Sequence, residues 1–254
     1  MIYRLLTIAL LLVVIIGCDS APTPAAPTTT TSFPTATRVA PSVTPTTATS
    51  TPSVASLATP AAVNATPTTQ TTTRQWNFDG DTIGALPAGM VAFSGQWAVR
   101  AEADAPSAPN ALCQTGRATY PALQLGDTRY GDVVLTTRFK PISGQVDRAG
   151  GLIFRVQNKD NFYILRANAL EDNVNFYTFI GGQRSVIKEG SAKVASGQWH
   201  ELRAEMIGNR MRGFLDGQLV VETTDNRFAA PGAIGLWTKE DSVTCFDNVA
   251  VSTP

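Results

Sequence analysis

Between residues 150 and 221 the sequence alternates short runs of aromatic and β-branched residues with turn-forming residues. Gly151 to Val156 leads through Asn158-Lys159-Asp160-Asn161 into Phe162 to Arg166. Three further turn signals separate strand-like runs in this segment: Gly181-Gly182-Gln183, Gly208-Asn209 and Asp216-Gly217. Asp-Gly is a strong hairpin signal because both central positions of a type I′ turn need positive φ. The segment therefore predicts a series of antiparallel hairpins.

The rest of residues 74–254 follows the same pattern. No stretch of more than about ten residues has the 3.6-residue apolar repeat of an amphipathic helix. Many short strands with regular turn signals indicate a two-sheet antiparallel β-sandwich, in which one sheet often curves into a jelly roll. We therefore predict an all-β jelly-roll domain over residues 74–254, which is long enough to bury a core.

The chain begins with an apolar segment that is too short to cross a membrane. Leu5 to Ile16 follows Arg4 and has about twelve residues, whereas a transmembrane helix needs roughly 20. This pattern fits the core of a signal peptide. Gly17 directly precedes Cys18, and the pair resembles the lipobox of bacterial lipoproteins, which implies that residues 1–17 are removed and that Cys18 carries lipid. An ordinary secretory signal with an incidental cysteine is the alternative.

Residues 19–73 are a low-complexity tract. All but ten of these 55 residues are Thr, Pro, Ser or Ala. Such a segment buries too little apolar surface to offset its chain entropy, so we predict a disordered tether. As a flexible chain its root-mean-square span is about 40 Å, and its prolines make it stiffer and longer. The expected location is outside the cytoplasm, anchored to the cell membrane through lipid.

Charge gives little guidance on partners. The chain has 20 basic and 20 acidic residues. Because Arg4, Arg38 and Asp19 precede the domain, 18 basic and 19 acidic residues remain in residues 74–254. With no basic field, nucleic acid is not an expected partner. We expect the domain to act as a monomer.

Two cysteines, Cys113 and Cys245, lie in the predicted domain. An exported domain is in a compartment where disulfides persist, so a bond between them is one expectation. Two buried free thiols, which pack as small hydrophobes, are the alternative.

Seven blocks of the domain carry a resemblance to a known family: 150–155 (GGLIFR), 161–163 (NFY), 166–174 (RANALEDNV), 197–203 (GQWHELR), 214–217 (FLDG), 235–243 (GLWTKEDSV) and 246–248 (FDN). With these blocks, most of residues 76–252 resembles the concanavalin A-like lectin/glucanase superfamily. Within that superfamily the segment is similar to the bacterial group labelled 3-keto-disaccharide hydrolase. The resemblance implies a jelly roll in which the concave sheet handles sugar, and it leaves binding and cleavage both open.

Retaining glucanases of this superfamily carry two glutamates four residues apart on one strand with an aspartate between them. The nearest match is Glu201 and Glu205, with Arg203 at the aspartate position. Alternation along the strand predicts that Leu202, Ala204 and Met206 face the core. We therefore interpret Glu201, Arg203 and Glu205 as a solvated, charge-balanced outer face rather than a catalytic pair.

A larger set of polar and aromatic residues forms the candidate sugar site. A sugar needs an aromatic platform for its C–H faces and fixed donors and acceptors for its hydroxyls. Trp237 and Tyr163 are the candidate platforms. The full candidate set is Arg155, Tyr163, Arg166, Asn168, Glu171, Asn173, Tyr177, Trp237, Lys239 and Asp241. Alternatively, four of its charged members brace the sheet as an ion-pair network: Arg155, Arg166, Glu171 and Asp241.

Our preferred interpretation is a lipoprotein that displays a carbohydrate-binding domain, with a carbohydrate or glycosylated ligand as partner. The family resemblance supports an alternative, cleavage of 3-keto-glycosides by elimination and hydration. In that case Glu171 is the candidate base, and Arg155, Arg166 and Lys239 are candidate stabilisers of the enolate. A non-catalytic adhesive or structural module that binds protein is the third possibility.

No sequence pattern demands a cofactor. The spacing of histidine, cysteine and aspartate gives no transition-metal site. Asp79, Asp81 and Asp247 are candidates for a structural calcium site where the first and last strands meet, although acidic turn residues are common without a metal. His200 follows Trp199 at the start of a predicted strand, and we interpret it as a structural residue at the edge of the sheet.

Overall fold

The computed structural model describes residues 71–254, with side chains from Arg74 onwards. The predicted signal peptide, the lipid-bearing Cys18 and the tract up to residue 70 lie outside the described residues. In the described part, no helix is long and apolar enough to cross a membrane.

The described residues form fifteen antiparallel strands in two sheets, which confirms the predicted all-β sandwich. Strands β1 to β7 are Thr71–Trp76, Met90–Ser94, Trp97–Ala101, Asn110–Gln114, Ala122–Leu125, Val133–Ser143 and Ala149–Asn158. Strands β8 to β15 are Asn161–Asn168, Asn173–Ile180, Gln183–Lys188, His200–Ile207, Arg210–Leu215, Gln218–Thr224, Ala233–Trp237 and Val243–Thr253.

The eight-stranded sheet has the order β13-β12-β11-β6-β15-β4-β3, and β1 also pairs with β15. The seven-stranded sheet has the order β10-β9-β8-β7-β14-β5-β2. The predicted hairpins are present in both sheets. In the β12–β13 turn, Asp216 and Gly217 have φ values of 48° and 80°. In the β9–β10 turn, Gly181 and Gly182 have φ values of 58° and 79°.

The main core lies between the two sheets. Alternation turns Leu152, Phe154, Leu165 and Ala167 of the seven-stranded sheet inward, and all four are fully buried. Leu202, Ala204 and Met206 of β11 pack into the same core from the other sheet. Burial of these side chains is the main stabilising contribution, at about 25 cal/mol per Å² of apolar surface.

The prediction of a solvated outer face on β11 is wrong for Glu205. Its side chain is buried, and its carboxylate is paired with Arg203 at 2.6 Å and with Arg212. Cross-strand pairing places Glu205 opposite Arg212 and Arg203 opposite Phe214. The Arg203 guanidinium stacks 3.7 Å from the Phe214 ring centroid. The two arginines and this ring cover the carboxylate, so the charges balance without full exposure to water.

Cys113 and Cys245 form a disulfide between β4 and β15. The two residues are direct cross-strand partners, and both are buried under Ala105, Ile142 and Trp199. The bond closes a separation of 132 residues and ties the first third of the described chain to its last strand.

His200 and two of the candidate calcium ligands, Asp79 and Asp247, make hydrogen bonds within the protein. His200 starts β11, where its Nδ1 lies 2.7 Å from Asp216 Oδ2 and its Nε2 contacts the backbone of Ala195. The Asp247 carboxylate accepts from the Ser107 backbone N–H at 2.7 Å. Asp79 accepts from the Asn110 N–H at 3.3 Å. These contacts support a structural role for His200 and give two of the three candidate calcium ligands protein donors.

Candidate functional site

The outer face of the seven-stranded sheet, turned away from the main core, carries most of the predicted site residues. Register aligns Trp237 of β14, Gly151 of β7, Arg166 of β8 and Asn175 of β9 in one row. Gly151 keeps this row open, because a Cβ at this position would lie 2.8 Å from the Leu165 carbonyl oxygen and 3.4 Å from the Trp237 ring. Trp237 and Arg166 therefore lie on either side of Gly151, which leaves a gap between them on the sheet surface.

A polar cluster surrounds Arg166, whose side chain is 2% exposed. Its Nη2 donates to Glu171 Oε2 at 2.5 Å and to Asn173 Oδ1 at 2.8 Å. Asn173 Nδ2 in turn donates to Glu171 Oε2 at 2.9 Å. Asp147 completes the cluster, with Oδ2 3.8 Å from Arg166 Nη1. One buried guanidinium thus fixes the positions of two carboxylates and an amide.

A second layer of hydrogen bonds holds Asp147 in place. Asn168, which is fully buried, donates from Nδ2 to Asp147 Oδ1 at 2.9 Å. The Asp241 carboxylate accepts from the backbone N–H groups of Gln145, Val146 and Asp147 at 2.9 to 3.2 Å. Asp241 therefore fixes the turn that carries Asp147 and does not itself join the cluster.

An aromatic group lies beside the polar cluster. The Tyr177 ring is 5.3 Å from the Arg166 guanidinium and 4.4 Å from that of Arg184. Arg184 reaches inward from the edge strand β10, to 5.7 Å from Trp237 and 6.0 Å from Tyr120. Trp237 is fully buried, so Arg184 and Tyr120 present the accessible surface above it. Arg184 Nη1 is buried with no hydrogen-bond partner in the described part of the chain.

Lys239 lies at the edge of the site, beside Tyr120. Its Nζ lies 5.3 Å from the Tyr120 ring and 2.7 Å from Glu240 Oε1. The cation is therefore neutralised by a neighbouring carboxylate and stacked on an aromatic ring. It stands at the rim, outside the hydrogen bonds of Arg166.

The pKa values of the two carboxylates in the cluster are shifted in opposite directions. Burial raises the pKa of Asp147 above its ordinary value, and the charge of Arg166 offsets only part of this effect. Burial also acts to raise the pKa of Glu171. The hydrogen bond from Asn173 and the charge and hydrogen bond of Arg166 outweigh it, so the Glu171 pKa is lowered. Glu171 is therefore held as a carboxylate, whereas Asp147 protonates more readily.

We expect the pKa of Asp147 to show in the pH dependence of stability. A carboxyl whose pKa is raised in the folded state binds more protons there, so its contribution to stability falls as the pH rises above its ordinary value of 3.8. As the pH rises from 3 to 7, the natural chain should therefore lose unfolding free energy relative to the Asp147→Asn variant, which has no titrating carboxyl at this position. Urea unfolding of both proteins measures it. A difference that moves the other way would show that Asp147 has no raised pKa.

Two predicted residues, Arg155 and Tyr163, lie away from the cluster. Tyr163 faces the core, because it is three residues from Arg166 on one strand, and its hydroxyl donates to Asp225 Oδ1 at 2.6 Å. Arg155 lies in a bulge of β7 with φ 51°. Its Nη1 donates to the Ala229 carbonyl at 2.5 Å. Both residues connect the sheet to the 225–229 segment and do not reach the site.

Comparison with known proteins places most of the described residues in one family. Residues 95–252 match the model of the 3-keto-alpha-glucoside-1,2-lyase-like domain. The chain belongs to this family. The match confirms the resemblance to the 3-keto-disaccharide hydrolase group and includes every residue of the Arg166 cluster.

Proteins similar to this chain include a levanase and a carbohydrate-binding module. The chain is 35% identical over 105 residues to a levanase of Bacillus subtilis, a match that covers 40% of the chain and only 15% of the levanase. Among solved structures it resembles carbohydrate-binding module CBM66 of Bacillus subtilis, with a TM-score of 0.56 and 26% identity over 65% of this chain and 96% of the module.

A more distant structural relative shares the fold alone. It is domain 4 of AbnA, an extracellular arabinanase of Geobacillus stearothermophilus solved with arabinotriose. The TM-score is 0.51 at 12% identity, over 72% of this chain and 93% of that domain. Together the family model and the module identify a carbohydrate-binding or glycosidase-like jelly-roll domain.

Three residues of the candidate site are absent from the sequence-based set: Tyr120, Asp147 and Arg184. Strand alternation could have found Arg184, because it pairs directly with Phe179 on the outer face. Tyr120 lies between β4 and β5 in a loop, and Asp147 lies in a turn before β7. Periodicity gives no signal for loop residues of this kind.

Proposed function

We propose that this domain binds carbohydrate on the outer face of its seven-stranded sheet, and that a lipid at Cys18 and the Thr/Pro-rich tract display it outside the cytoplasm. The observation that carries the binding proposal is the Arg166 cluster next to Arg184 and the partly exposed ring of Tyr120. Its donors and acceptors are fixed by hydrogen bonds before any ligand arrives. Pre-organised polar groups beside aromatic rings are the arrangement that recognises sugar hydroxyls and C–H faces together.

The charges of the site favour a neutral ligand. Arg166 is paired with Asp147 and Glu171, Arg184 acts on the same two carboxylates at longer range, and Lys239 is paired with Glu240. Both arginines also lower the Glu171 pKa through their charge. A ligand that brings hydroxyls can take up the remaining N–H and oxygen sites without adding an unpaired charge to a partly buried surface.

A second candidate function, cleavage of 3-keto-glycosides, is favoured by the family match. The 3-keto group acidifies the C2 proton, which a carboxylate removes while the C1–O bond breaks and the leaving oxygen takes up a proton. Water then adds to the resulting double bond. Glu171, with its side chain 51% exposed, is the proposed base, and Arg166 and Lys239 are the proposed stabilisers of the enolate.

The geometry of Glu171 makes binding the stronger proposal. Its Oε2 already accepts two hydrogen bonds, and its lowered pKa makes it a weaker base than an ordinary glutamate. A general base works best with a pKa near the working pH. Asp147 has the raised pKa, but its side chain is only 7% exposed behind Arg166.

The deciding experiment offers the purified full chain 3-keto-disaccharides and their unoxidised parents. Mass spectrometry scores products and bound glycan in the same samples. Retention of glycan without products supports the binding function. Turnover of only the keto substrates would replace it with the lyase function, and indifference to both would leave a protein-binding module.

Substitution of Glu171 by glutamine separates the two functions. We expect Glu171→Gln to weaken glycan binding by about three- to tenfold, because a charge-assisted hydrogen bond to Arg166 becomes a neutral one. Isothermal titration calorimetry measures this change. Loss of a catalytic base would instead lower turnover about 10²- to 10⁴-fold. Glu222→Gln, which alters an exposed ion pair on the other sheet, is the matched control and should change neither property.

A further inference from the structure

A separate depression lies on the same outer face, on the far side of Tyr120 from Trp237. It encloses about 320 Å³ and is lined by four aromatic residues: Phe93, Tyr120, Phe162 and Phe179. Phe162 and Phe179 are stacked 4.7 Å apart and fully or almost fully buried. Phe93 and Tyr120 are partly exposed. The depression therefore has a rigid aromatic floor and two accessible rings.

Four polar residues also line this depression, and their charges balance. Lys159 and Asp160, at the tip of the β7–β8 hairpin, are paired at 2.7 Å. Ser94 and Thr119 also line it and provide hydroxyls. An aromatic cavity of roughly 300 Å³ or more with a few hydrogen-bonding groups is typical of small-ligand sites. Because the charges of Lys159 and Asp160 cancel, the lining favours an uncharged cyclic ligand over an ionic one.

Tyr120 connects this depression to the Arg166 cluster. Its ring is stacked 6.2 Å from Trp237 and meets Phe179 edge-on at 5.1 Å. On β8, Arg166 and Phe162 share the outer face and are four residues apart, a distance of about 13 Å along the strand. That distance exceeds the width of one sugar ring. A ligand that contacts both places must contain at least two linked rings.

We propose that the depression is a second sugar subsite and that the ligand is an oligosaccharide, two of whose units occupy the two places. This inference rests on the carbohydrate-binding function proposed above and adds the class of ligand. One unit lies on the Arg166 cluster, Tyr120 contacts the part of the oligosaccharide between the two places, and a later unit packs on Phe93.

Calorimetry of the full chain with ligands of increasing length tests the subsite. The probes are glucose, maltose, maltotriose and maltotetraose, and in parallel fructose, 1-kestose and nystose. We expect the affinity in the series that binds to rise at least tenfold from one unit to three. Phe93→Ala and Phe93→Leu should each weaken binding of the trisaccharide about three- to tenfold and leave that of the monosaccharide unchanged. A purely structural role of Phe93 would weaken both equally.

The controls separate this inference from the function on which it rests. Arg210→Ala changes an exposed cation on the other sheet and should affect no probe, while thermal unfolding confirms that the Phe93 variants are folded. Length-independent binding that Phe93 variants leave intact would overturn the subsite and keep the carbohydrate-binding function. Binding of no probe at all would overturn both.

Discussion

Replacing Arg166 by methionine is expected to abolish carbohydrate binding and to lower the free energy of unfolding by about 3–5 kcal/mol. The guanidinium is almost completely buried and is the countercharge of Asp147, whose carboxylate is buried as well. Methionine fills similar space but leaves that carboxylate without a cation. It also removes the donors that hold Glu171 and Asn173. Urea unfolding and calorimetry measure the two effects.

A double variant distinguishes loss of charge from loss of packing. Arg166→Met combined with Asp147→Asn removes both buried charges and should recover part of the lost stability without recovering binding. Arg210→Met, at a half-exposed ion pair, should change stability by less than about 1 kcal/mol. A loss of stability as small for Arg166 as for Arg210 would mean that the buried network contributes nothing to the fold.

The second large effect is expected from the disulfide. The Cys113→Ala/Cys245→Ala variant should lose about 2–5 kcal/mol of unfolding free energy, since the bond closes a long loop and so restricts the unfolded chain. The separation of 132 residues places it near the upper part of that range in the chain-entropy model. Chemical unfolding with and without reductant measures the effect.

The natural chain and the variant should behave alike once the disulfide is open. Because both sulfurs are buried, the folded protein should resist reductant, and the unfolded protein should gain the mass of two hydrogens on reduction. With reductant present throughout, the two unfolding midpoints should converge. If alkylation of the unfolded natural chain without reductant labels Cys113 and Cys245 themselves, and not only Cys18, the bond and its stabilising effect are both ruled out.

Strand alternation and turn residues made the sandwich predictable. Asp216-Gly217 and Gly181-Gly182 determine where two hairpins reverse. The buried alternation of Leu202, Ala204 and Met206 determines which face of β11 meets the core. These are local properties, since each depends on a few consecutive residues and on the two-residue period of a strand.

The site was predicted less completely because it depends on register and on irregular backbone. Tyr163 could have been excluded, as its odd separation from Arg166 on β8 places the two on opposite faces. Arg155 could not have been excluded in this way, because it lies in a bulge. There, three residues of β7 lie opposite a single residue of β8, so simple alternation does not hold. Asp147 and Tyr120 enter the site from connecting segments whose paths are set by long-range contacts such as the hydrogen bonds to Asp241.

The pairing of the first strand has a mechanical consequence. If lipid at Cys18 anchors the chain as proposed above, a ligand pulled away from the cell would load the domain through the residues that precede Thr71, and the force would reach it at β1. Among the strands of the described part, β1 pairs with β15 alone, whereas β15 is also held by β6 and β4. Peeling β1 away would lengthen the tether by six residues while the disulfide-linked strands and the outer face of the other sheet keep their shape. With such an anchor, the first strand is expected to yield under tension before the proposed binding surface does.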